Sequence, residues 1–104
     1  MTTAYIVTVQ GCDWYELRPV VHLRYQTALA EWHSTRLSLI DRHREFIGYT
    51  QKDLAAETNP EHAKMYRENI ERHEAEILRL ENDDPATCEP RDLRPTIEEV
   101  EVQP

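Results

Sequence analysis

The chain has 104 residues, 31% charged and 39% apolar, with 20 acidic against 12 basic side chains and a formal charge of −8. That length supports one hydrophobic core, and therefore a single domain over 1–104, while the polar balance favours helices with one buried stripe and one wet face. The charge argues against direct nucleic-acid binding, because little counterion release is available, and no apolar run approaches the ~20 residues of a membrane span.

The opening Met1-Thr2-Thr3-Ala4-Tyr5-Ile6 has neither the basic start nor the apolar run of a signal peptide, so the expected compartment is the cytoplasm. Tyr5-Ile6-Val7-Thr8-Val9 is β-branched or aromatic and predicts a first strand over about 4–10, ended by Gly11-Cys12-Asp13. A second strand over about 15–22 contains Pro19, which cannot donate a ladder hydrogen bond and belongs on a sheet edge.

From Tyr25 to Glu57 there is no proline, and apolar residues recur with helical spacing, which predicts one long helix over 25–57, loosened near Gly48. Asn59 as N-cap, Pro60 at the first helical position and Glu61 in the first turn then start a second helix over 60–81. Asn82-Asp83-Asp84-Pro85 stops it. The run Thr96-Ile97-Glu98-Glu99-Val100-Glu101-Val102 predicts a third strand over about 95–103.

The expected fold class is α+β, a three-stranded antiparallel sheet of order 2-1-3 packed on a long antiparallel two-helix hairpin. The first strand is the most β-prone and takes the centre, and Glu98, Glu99 and Glu101 protect the outer edge of the third from further pairing. In the second helix Ala63, Tyr66, Ile70, His73, Ile77 and Leu80 follow the spacing of an antiparallel coiled-coil seam. Leu37, Ile40, Arg44, Ile47, Gln51 and Leu54 do the same in the first. Folding about Thr58-Asn59 sets Leu54 against Ala63, Gln51 against Tyr66, Ile47 against Ile70, Ile40 against Ile77 and Leu37 against Leu80. Arg44 then meets His73 in a polar layer that forbids shifted registers.

The segment Tyr5-Ile6-Val7-Thr8-Val9-Gln10-Gly11-Cys12-Asp13 resembles the start of small uncharacterised proteins encoded by phages of high-GC Gram-positive bacteria. Cys88-Glu89-Pro90, followed by the strand near Ile97, resembles the Cys-x-Pro element and last strand with which those proteins end. The resemblance covers only the two chain ends, and the long hairpin stands where those proteins have one shorter helix. It implies an accessory gene product, with both chain ends side by side in one sheet. Antiparallel pairing of the first and third strands would bring Cys12 near Cys88, close enough for a disulfide under oxidising conditions, although two free thiols are expected in a reducing cytosol.

Five histidines raise the question of a metal, yet neither His-x-x-x-His nor Glu-x-x-His occurs, so neither metal nor cofactor is expected. With two glycines, no phosphate-cradling loop and no nucleophile elbow, the sequence shows no catalytic pattern, and the expectation is not an enzyme. What remains is surface for association. The first helix carries a second apolar stripe, Leu29, Trp32, Leu39 and Phe46, which either packs on the sheet or forms a dimer or host-protein interface. Trp14 and Tyr15, beside the first turn, form another candidate anchor. The expected function is a non-enzymatic protein–protein interaction module, an accessory protein that binds and modulates a host protein. A small structural virion or assembly component and an acidic DNA mimic are the alternatives.

Overall fold

The computed structural model describes residues 2–9, 20–85 and 94–103. In chain order the elements are β1 (Thr2–Val9), β2 (Val20–His22), α1 (Tyr25–Ala56), α2 (Pro60–Glu81) and β3 (Pro95–Val102). The fold is α+β, and its three strands form an antiparallel sheet of order β2-β1-β3. β1 pairs with β3 over its whole length, from Thr2↔Val102 to Val9↔Pro95, and with β2 from Tyr5↔His22 to Val7↔Val20. The expected 15–19 portion of the second strand, with Trp14, Tyr15 and both cysteines, lies outside the described residues.

The chain divides into two compact units, Met1–Leu37 with Asp83–Pro104, and Ser38–Asn82, and α1 contributes to both. In the sheet unit Val7, Ala28 and Trp32 are fully buried and Tyr5 and Ile97 pack against them. Alternation along a strand puts Tyr5 and Val7 on one face, and Ile97, the partner of Val7, lies on that face too. The Trp32 indole N–H donates to the Pro95 carbonyl at 2.8 Å. This bond satisfies the one polar atom of a large apolar ring. His22 pairs with Glu31, Tyr5 meets Tyr25 edge to face at 5.5 Å, and the Arg36 guanidinium lies 5.6 Å over the Trp32 ring.

In the hairpin unit, the turn chemistry acts as the residue types require. Asn59, in extended backbone, accepts from the Glu61 N–H at 2.9 Å through its side chain, and Pro60 follows as first helical residue. At the far end Asn82 caps α2, its backbone and side-chain N–H groups both donating to the Leu78 carbonyl. Gly48 does not loosen α1, which is helical without interruption from Tyr25 to Ala56.

The α2 seam lies inward as expected, with Leu80 buried and Ala63, Tyr66, Ile70, His73 and Ile77 half-buried. The α1 seam is corrected in part. Ile40 is buried and Ile47 and Leu54 are half-buried, as expected, whereas Leu37, Arg44 and Gln51 are exposed, and Leu39, His43 and Thr50 are buried and Phe46 is half-buried in their place. The inward face is therefore wider than the expected seam and reaches one residue, about 100° around the helix, toward the neighbouring stripe. The height along the axis is nearly as expected, because His73 meets His43 instead of its neighbour Arg44. The physical reason is the content of the stripe. The observed face buries Leu39 and most of the Phe46 ring, while the other would have forced Arg44 and Gln51 from water. Arg44 instead reaches Asp41 and Glu81, each at 3.6 Å, from an exposed position.

Candidate functional site

The most distinctive chemistry among the described residues is the polar layer inside the hairpin unit. His43 enters it because it shares the 4-3-4 spacing of Leu39, Phe46 and Thr50, and it is only 2% exposed. His73 enters from the α2 seam. Their Nδ1 atoms are 2.8 Å apart and their ring centroids 5.1 Å apart, and the Phe46 ring lies 5.4 Å from the His73 ring at a 33° tilt. In the neutral pair one Nδ1–H donates to the lone pair of the other Nδ1. A second polar contact follows toward the turn. There the Asn69 amide donates to the Thr50 hydroxyl at 3.2 Å, and that hydroxyl donates to the Phe46 carbonyl at 2.8 Å.

Burial holds both imidazoles below the ordinary histidine pKa. The neighbouring His73 lowers His43 further, Arg72 lowers His73 further, and Glu76 raises both. An unfolded histidine titrates near ~6.5, so below that pH the unfolded chain binds more protons than the folded one. The contribution of the pair to stability is therefore present above about pH 6.5 and declines as the pH falls toward the lowered folded values.

The residues expected to form an interaction surface take different roles. Trp32 and Leu39 are fully buried, in the sheet unit and hairpin unit respectively, and Leu29 and Phe46 are half-buried. The stripe that suggested a dimer thus supplies core to its own chain. Arg44 leaves the polar layer, and His43 takes its place beside His73. Sequence reasoning missed His43 for lack of a correct α1 face, although a signal existed, since positions 43 and 73 are equidistant from Thr58. Nothing local in the sequence marks the His22–Glu31 pair, which forms only because β2 leads directly into α1.

The exposed surface of the hairpin unit carries Tyr49 at 61% and Met65 at 64% exposure. A pocket of about 210 Å³ is lined by His62, Met65 and Tyr66. Among the described residues no group of three or more His, Cys, Asp or Glu side chains is placed to hold a metal, and no helix is long and apolar enough to cross a membrane.

No protein-family model, curated protein or solved structure matches the chain.

Proposed function

We propose that the protein is a non-enzymatic interaction module that works in the cytoplasm, an accessory protein of a phage or mobile element that binds and modulates a host protein. The observation that carries this reading is the combination of exposed Met65 with the side-chain-sized pocket it shares with His62 and Tyr66. Large apolar side chains beside a small concavity are the usual anchor points of protein interfaces. The net charge of −8 favours a partner with a basic surface.

The DNA-mimic alternative rests on the acids of β3. Glu98, Glu99 and Glu101 are exposed, but neighbouring strand residues point to opposite faces, so Glu98 is separated from the other two. That arrangement suits protection of an edge strand better than imitation of a phosphate row. The test is affinity capture from host extract with the wild-type chain and with Met65→Glu. Capture of a specific protein by the wild type and its loss with the variant supports the reading. Equal capture by both, or none, refutes it.

A further inference from the structure

We propose that the His43–His73 contact is a proton-operated latch, which holds α1 and α2 together while at least one facing Nδ1 keeps its lone pair and releases them when both imidazoles are protonated. The geometry carries the proposal. Two Nδ1 atoms 2.8 Å apart share a single proton, one donating and the other accepting. A first added proton goes to Nε2 of the donor ring, and the N–H···N bond survives as a charge-assisted one. A second must take the accepting lone pair, which sets two N–H groups and two positive charges against each other and abolishes the bond.

The surroundings make this transition consequential. His43 is almost entirely buried, and the stripe places it between Leu39 and Phe46 on α1. The charged groups that shift the pair among the described residues, Arg72 and Glu76, lie on α2. Arg72 opposes protonation of His73, and Glu76 favours protonation of both rings. Glu76 is itself engaged by Arg79 at 2.9 Å, so its support is shared. The lowered proton affinity of both rings agrees with a pair that resists charging more than an ordinary histidine does and titrates as a unit with two apparent steps.

The experiment is an NMR titration of the imidazole resonances of the full chain from pH 8 to 4.5, with thermal unfolding followed over the same range. His43 and His73 should titrate together below about 6.5, with faster amide exchange in α2 as the second step proceeds. The wild-type midpoint should fall on acidification by roughly 5–15 °C more than that of the His43→Leu/His73→Leu variant. Independent titration of the two rings near 6.5, or parallel midpoint curves for the two proteins, overturns the proposal. Should the double variant not fold, Glu76→Gln is the second test. Removing that carboxylate should move both imidazole midpoints to lower pH, and unmoved midpoints overturn the proposal equally.

Discussion

Replacing Trp32 by phenylalanine removes the indole N–H while keeping an aromatic ring on α1. Trp32 and Pro95 are both among the fully buried side chains, and the bond between them spans 63 positions of sequence at 2.8 Å. Depriving a buried carbonyl of such a donor costs about 1–3 kcal/mol. The smaller ring also gives up the burial of two or three carbon-sized groups, about 2 kcal/mol at ~0.8 kcal/mol each. The expected loss is about 3–5 kcal/mol, a large share of the ~5–15 kcal/mol that holds a typical domain together. Urea unfolding followed by far-UV circular dichroism measures it, as a lower midpoint with an unchanged slope. The exposed Leu23, at 69%, provides the control, and Leu23→Ala should stay within about 0.5 kcal/mol of wild type. If Trp32→Phe costs less than about 1 kcal/mol, Trp32 is not the centre of the sheet unit and belongs again among surface anchors.

The inward face of α1 separates two nearby leucines. Leu39→Ala should cost about 2–5 kcal/mol, whereas Leu37→Ala, at a 54% exposed position, should cost well under half of that, and equal losses would restore the original seam. Asn59→Ala removes the side-chain acceptor of the Glu61 N–H and should lower stability by about 0.5–2 kcal/mol, with Asn59→Ser largely neutral. Arg44→Gln breaks only exposed ion pairs and should change the urea midpoint by less than the equivalent of about 1 kcal/mol. A larger effect would return Arg44 to the polar layer.

Local chemistry determined much of this protein. The order of elements, the cap at Asn59 with Pro60, the central place of β1 and the acidic edge on β3 all follow from residue types acting on their own backbone or nearest neighbours. The α2 seam was legible for the same reason, since only one set of its residues repeats at coiled-coil spacing with apolar side chains. On α1 two stripes competed, one through Leu37, Ile40 and Ile47 and one through Leu29, Trp32, Leu39 and Phe46. Periodicity alone scored them nearly alike. Only the tertiary structure decided how they share the inward face, which takes Ile40 and Ile47 from the first with Trp32, Leu39 and Phe46 from the second, because the outcome depends on what each position buries when a partner surface arrives. The side containing Trp32, His43 and Phe46 removes large rings from water and leaves Arg44 and Gln51 hydrated. The same decision created the His43–His73 contact, which no local pattern announces. Two side chains 30 residues apart become partners at 2.8 Å only when the helix face and the hairpin height are both settled.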